Sequence, residues 1–168
     1  LVLGAGVYGM NSNTHICLSD IQLFSHVPNL IYLVPSSKEE YLVMLNYATT
    51  QRKHPIAIRV PVKFISSLKE DATDYSLTNK AEVLNYGNRV ALVAFGSLIP
   101  LAKEVVKEYK DQTGKDITLI KIKFLTGLDE ETLNSLKKNH QLVITIEDGE
   151  VDGGYGQRIS SFFGNSKM

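Results

Sequence analysis

The sequence predicts an α/β protein with a mainly parallel sheet. Three observations carry that reading: short apolar runs stopped by proline, amphipathic segments of helical period between them, and strand-like and helix-like stretches that alternate along the chain. With 168 residues, 43% of them hydrophobic, the chain can build one full core, or one domain plus a piece of another. Eighteen Lys and Arg balance eighteen Asp and Glu, so no general field draws in nucleic acid or an anionic membrane, and neither is expected as a partner. The single cysteine, Cys17, excludes an internal disulfide framework and fits a reducing cytoplasm. No apolar run approaches the roughly 20 residues that span a bilayer. The chain opens on Leu1-Val2-Leu3, already in a strand pattern and without an initiator Met, so it is expected to be a fragment.

The elements follow in order. Residues 30–34 form an apolar run stopped by Pro35, and residues 56–60 a second stopped by Pro61; both read as buried parallel strands. Between them Ser36 or Ser37 caps a helix whose Glu39 or Glu40 completes a capping box, with Tyr41, Leu42, Leu45 and Ala48 as its apolar face. A polar stretch over 61–80 reads as a linker. Beyond it, residues 82–86 and 90–95, joined by the turn formers Gly87-Asn88, predict a hairpin at a sheet edge. A helix over about 100–109 with Leu101, Val105 and Tyr109 in step comes next, then a strand over 117–122. Asp129 caps a further helix running to Lys138, residues 142–146 make the next strand, and residues 157–163 the last helix.

Several signals bear on chemistry. Gly4-Ala5-Gly6-Val7-Tyr8-Gly9 is a literal G-x-G-x-x-G, but it runs into Met10-Asn11-Ser12-Asn13-Thr14, a poor helix start, and lacks the acidic residue expected about 20 positions on in a dinucleotide site. It reads better as a loop where backbone closely approaches something, a ligand or another subunit. His15 lies in a polar loop after a strand, where α/β sites are built, and its imidazole can move a proton near neutral pH; the other reading is a surface or packing residue. His26, His54 and His140 show no metal-ligand spacing, so no metal ligation is expected within the chain. Arg59 ends a buried-strand pattern and needs a counter-charge: a bound carboxylate or phosphate, or an internal salt bridge such as one to Asp20. The Asp152-Gly153-Gly154-Tyr155-Gly156 loop lacks the Lys-Ser/Thr of a P-loop and reads as a structural turn.

Taken together, Gly9-Met10-Asn11-Ser12-Asn13-Thr14-His15, Asp20, Val27-Pro28-Asn29-Leu30 through Pro35-Ser36, and His54-Pro55-Ile56-Ala57-Ile58-Arg59-Val60-Pro61 resemble the thiamine-diphosphate enzymes of the transketolase family, and within it the 1-deoxy-D-xylulose-5-phosphate synthase branch. Gly87 through Ser97, Phe124-Leu125 with Leu128-Asp129, and Val143 through Asp148 followed by Gly153-Gly154-Tyr155-Gly156 resemble that family's C-terminal domain. The resemblance implies the second half of a pyrimidine-binding domain over 1–60, a linker over 61–80, and a transketolase C-terminal domain over 81–168, incomplete at its end, with one antiparallel edge strand in its sheet.

The same resemblance implies roles. His15 would be the catalytic residue, facing the substrate and moving a proton or holding a substrate oxygen. Asn11 would stand at a substrate-binding position where the synthases have aspartate, and Arg59 would help hold an acceptor phosphate. Gly4 and Val62 replace further family arginines, with Lys63 nearby as a partial substitute, and Cys17 replaces a glycine. The substrates would be a 2-oxo acid and an aldose phosphate, the cofactors thiamine diphosphate and Mg2+, and the assembly a homodimer. The residues that bind and activate the cofactor lie upstream in the family, so this fragment is expected neither to bind it tightly nor to be active alone. The alternatives are a transketolase, a 2-oxo acid dehydrogenase β subunit, or a non-catalytic dimerisation module; a nucleotide-binding domain ranks behind these.

Overall fold

Two sheets make up the molecule. The computed structural model describes residues 2–4, 6, 17–60 and 80–164. The first sheet has the order β1-β3-β2, where β1 is Val2–Gly4, β2 is Ile31–Leu33 and β3 is Ile56–Val60, with both pairings parallel. The second has the order β4-β6-β5-β7, with β4 at Ala81–Asn85, β5 at Arg89–Phe95, β6 at Thr118–Ile122 and β7 at His140–Ile146. Here β6 and β7 flank β5 in parallel and β4 lies antiparallel on β6, giving the mainly parallel sheet with one antiparallel edge strand.

β4 and β5 are consecutive but do not pair, so the expected hairpin is not formed. Gly87 passes so close to the backbone of Asp116 and Ile117 that a Cβ there would overlap it. Its N–H donates to Thr118 Oγ1 at 3.0 Å, and Asn88 N–H to Asp116 O at 3.3 Å. Gly87-Asn88 thus carries the chain past the start of β6, leaving both edges of the buried β5 for parallel partners.

The helix α2 (Lys38–Thr50) joins β2 to β3. Ser37 is its N-cap and accepts from Glu40 N–H at 3.0 Å. The Glu40 carboxylate reaches back one residue beyond the usual box, accepting from Ser36 N–H and Oγ, both at 2.6 Å. Met44, fully buried, centres the helix's inner face with Tyr41, Leu45 and Ala48, while Leu42 is 54% exposed and does not belong to that face. Between β5 and β6, α3 (Ile99–Thr113) runs longer than its apolar pattern because Gly114, at φ 68°, provides the left-handed C-terminal cap. Ile99 and Ala102 are its buried anchors, whereas Leu101 and Val105 lie exposed on its flank. Asp129 caps α4 (Glu130–Leu136) by accepting from Thr132 N–H at 2.9 Å, and α5 (Tyr155–Phe163) follows β7.

The two sheets share one core. Ile21, Tyr32, Val34 and Ala57 from the first half pack with Phe95, Ile120, Ile122, Leu125 and Tyr155 from the second. The chain leaving β6 pairs with β2: Val34 N–H donates to Lys123 O at 3.0 Å and Leu125 N–H to Tyr32 O at 2.7 Å, which places Phe124 in the core under α2. Beside this clasp the Lys121 ammonium lies 3.4 Å from Glu40 Oε1 and 2.9 Å from Glu82 Oε2. Lys121 and Glu40 are buried, and Glu82 is half-exposed. Burial opposes the ammonium's charge, but Glu40 and Glu82 outweigh it and raise its pKa above the ordinary 10.5. The expected linker, 61–80, lies outside the described residues apart from Lys80.

Lys121→Met leaves the Glu40 carboxylate buried without its counter-charge and should cost about 3–5 kcal/mol in urea unfolding. Because the folded Lys121 pKa is raised, the gap between wild type and variant should stay level up to the ordinary lysine value of 10.5 and close as pH rises beyond it.

Candidate functional site

Strand alternation decides where Arg59 points. Ile56, Ile58 and Val60 of β3 pack under α2, so Ala57 and Arg59 take the opposite face, towards the second sheet. Arg59 is only 3% exposed. Its Nε donates to Asp20 Oδ2 at 2.7 Å and its Nη2 to Asp20 Oδ1 at 3.3 Å. Nη1 donates to Asp148 Oδ1 at 2.5 Å and Nη2 to the Asp148 carbonyl at 3.0 Å. Asp20 is the first residue of α1 (Asp20–Ser25), and Asp148 follows β7, so one guanidinium binds a carboxylate from each half. Tyr32, on the same face of the neighbouring strand, donates its hydroxyl to Asp20 Oδ2 at 2.5 Å, and the Phe95 ring stacks 5.9 Å from the guanidinium carbon. Burial works against the charge on Arg59, but the hydrogen bond to Asp20 and the charges of Asp148 and Asp20 outweigh it and hold the group protonated. Burial and then Asp20 push the Tyr32 hydroxyl far above its usual range, so it acts only as a neutral donor.

Of the two sequence readings of Arg59, the internal salt bridge to Asp20 is present, and the anions that meet its guanidinium are the protein's own. Asp148 is the partner that sequence reasoning missed. Its signal was a pair of acids, Glu147-Asp148, at the end of an apolar strand opposite an arginine that needed charge. The two acids divide the work. Glu147 turns to the start of α5, accepting from Tyr155 N–H at 2.8 Å and Gly156 N–H at 3.3 Å. The loop before α5 is therefore a structural turn whose anion is supplied from within. Burial raises the Glu147 pKa, and those N–H groups pull against the rise.

The same β7–α5 loop grips the base of the segment that holds His15. Gly6 N–H donates to Cys17 O at 3.0 Å, bringing the two flanks of residues 7–16 together. Gly6 has φ 94°, and a Cβ on it would overlap the Asp148 carboxylate. At Gly6 the close backbone approach is made to this carboxylate of the same chain, not to the ligand or other subunit that the sequence suggested. Glu150 N–H donates to Leu18 O at 3.3 Å, and the Glu150 carboxylate accepts from Ser19 Oγ at 2.9 Å and Gln22 Nε2 at 3.0 Å. Cys17 is half-buried, and burial followed by Asp20 pushes its thiol pKa up, away from reactivity. His15, Asn11, Val62 and Lys63 lie outside the described residues, and of Gly4 the structure describes the β1 backbone. His140 packs within the second unit, its Nε2 2.8 Å from Thr118 Oγ1 and its Nδ1 3.2 Å from Leu136 O. Among the described residues no group of three His, Cys, Asp or Glu is placed to hold a metal ion, and no helix is long and apolar enough to cross a membrane.

Residues 79–168 match the family described as transketolase, C-terminal domain. The chain belongs to that family. It is 34% identical over 158 residues to the 1-deoxy-D-xylulose-5-phosphate synthase of Lachnoclostridium phytofermentans, covering 94% of this chain and 25% of the relative. To the synthase of Shouchella clausii it is 32% identical over 165 residues, covering 98% of this chain and 26% of the relative. The chain therefore spans about a quarter of the length of the curated relatives it matches. A solved structure titled "Split gene transketolase, inactive beta4 tetramer" shares its fold with TM-score 0.79 and 23% identity, over 99% of this chain and 53% of that one.

In the transketolase C-terminal unit, β5 is where the strand order reverses, and open α/β sheets bind ligands in the crevice outside the strand ends at such a point. Here that crevice is filled from within. Gly96, at the end of β5 with φ 57°, abuts Val34 and Pro35, and Asp148, beyond β7, holds Arg59. The arrangement can fix one unit against the other and hold Gly6 beside Cys17.

Arg59→Lys keeps the charge but loses the fork that spans both carboxylates, and should cost about 2–4 kcal/mol in chemical unfolding. A loss under about 0.5 kcal/mol, the range of an ordinary surface change, would contradict this account of the buried pair.

Proposed function

We propose that this chain is the substrate-facing and dimer-forming portion of a thiamine-diphosphate-dependent transferase of the 1-deoxy-D-xylulose-5-phosphate synthase type, which joins pyruvate to glyceraldehyde 3-phosphate with loss of carbon dioxide. The supporting observation is that the likeness to the synthases covers 94–98% of the chain and so runs through both halves, beyond the C-terminal domain match. In this reading His15 is the catalytic residue, holding a substrate oxygen or moving a proton, and Asn11 contacts substrate as a neutral amide. Arg59 enters as a positioning residue, because holding an acceptor phosphate would require it to exchange one of its two carboxylates.

The described residues do not fit the diphosphate and metal end of thiamine diphosphate. Asp20 and Asp148 are committed to Arg59, Glu147 caps α5, and no metal-ligand group is formed among them. In this reading the cofactor and its Mg2+ are held by other parts of the complete protein, and this chain's part is to build the substrate wall. The protein is proposed to be cytoplasmic and to act as a homodimer on a 2-oxo acid and an aldose phosphate.

A second reading is an assembly module without catalysis. It is favoured by the departures at Gly4, Asn11 and Val62 and by the likeness to the split-gene transketolase chain that forms an inactive β4 tetramer.

Two measurements test the leading reading. Calorimetric titration of residues 1–168 with thiamine diphosphate and Mg2+ should give no micromolar binding, and micromolar binding would overturn it. In the complete protein His15→Ala should lower turnover by roughly 10²-fold or more, as removal of a positioned acid or base does. An unchanged rate would make His15 structural and favour the assembly module.

A further inference from the structure

We propose that Asp148, a residue of the C-terminal unit, is a positioning residue for the stem from which residues 7–16 depart. Its functional half rests on the reading of His15 above, and its structural half on described residues alone.

The Asp148 carboxylate is 4% exposed and its two oxygens face different ways. Oδ1 takes the Arg59 guanidinium, which through Nε and Nη2 fixes Asp20 on the exit side of the stem. Oδ2 has no hydrogen-bond partner among the described residues and is turned to Gly6 on the entry side, where a Cβ would strike it. One side chain thus touches the entry directly and sets the exit through Arg59. An anion is buried only where its surroundings repay desolvation. Ion pairing accounts for Oδ1, while Oδ2 finds room at the stem because Gly6, at φ 94°, has no Cβ there.

The rest of the loop acts in the same direction. Glu150, two residues on, accepts from Ser19 and Gln22, and its N–H donates to Leu18 O. All of these contacts fall between Leu18 and Gln22, the residues that follow the Cys17 end of the stem. A C-terminal unit whose own crevice is filled thereby sets the placement of Gly6 and of residues 17–22 in the other unit.

The test is hydrogen exchange on residues 1–168, read without substrate or cofactor. In Asp148→Asn the broken ion pair lowers global stability and quickens exchange in β5 and β6, and peptides covering 4–19 should exchange roughly tenfold or more faster beyond that common acceleration. Gly6→Ala, which drives a Cβ into the same carboxylate, should give the same local pattern. Should Asp148→Asn not fold, Glu150→Gln, on the exposed side of the loop, should accelerate the same peptides to a smaller extent. Unchanged exchange over 4–19 in folded Asp148→Asn would overturn the proposal. So would equal acceleration in both units, because Asp148 would then only add to global stability. In the complete protein Asp148→Asn should lower kcat while KM for the 2-oxo acid stays within about twofold, the signature of a misplaced catalytic group. His15→Ala in that assay separates the claims: an unchanged rate there removes the reading of His15, whereas unchanged exchange removes the stem whatever the activity.

Discussion

The buried guanidinium of Arg59 sets the constraint around which the two units are arranged. A charge at 3% exposure is tolerated only where opposite charge and hydrogen-bond acceptors surround it, and no single element supplies enough of them. Asp20 comes from the start of α1 and Asp148 from the end of β7, so the charge is satisfied only when the halves are in register. Tyr32 and Phe95, one from each sheet, complete the surroundings with a neutral donor and a ring face. Apolar packing would tolerate some sliding of one sheet past the other, but a forked donor between two carboxylates allows much less.

A second tie crosses the same interface. The chain leaving β6 pairs with β2, and Lys121 is buried against Glu40, the residue that also satisfies the start of α2 through Ser36. Hydrogen bonds, core packing and two ion networks therefore converge on the strand ends of the C-terminal sheet, where a free-standing α/β domain would place its ligand. In this member of the transketolase C-terminal family the crevice at those strand ends is occupied by the protein itself.

Much of the fold was legible because its local signals agree. β3 takes the bounds its apolar run marks, β2 falls inside its run and ends at Leu33, one residue short of the run's end, and Ser37 and Asp129 cap where capping residues are expected. The failures came where non-local contact overrides local pattern. Gly87-Asn88 reads as a two-residue turn, yet its glycine is there for close passage over Asp116, and that contact is invisible in sequence. Leu101 and Val105 are in helical step, but Ile99 and Ala102 face the sheet, because period alone does not say which stripe is covered. At the site, burial of Arg59 and its pairing with Asp20 could be argued from one strand and one acid. Asp148, 89 positions further on, required the arrangement of the second unit to be known.

The central claim is that these ties make the two halves one cooperative body. Scanning calorimetry of residues 1–168 tests it most directly. A single transition whose calorimetric and van't Hoff enthalpies agree is the predicted result. Two resolved transitions, or a calorimetric enthalpy well above the van't Hoff value, would show that the halves melt independently and that the Arg59 tie does not couple them.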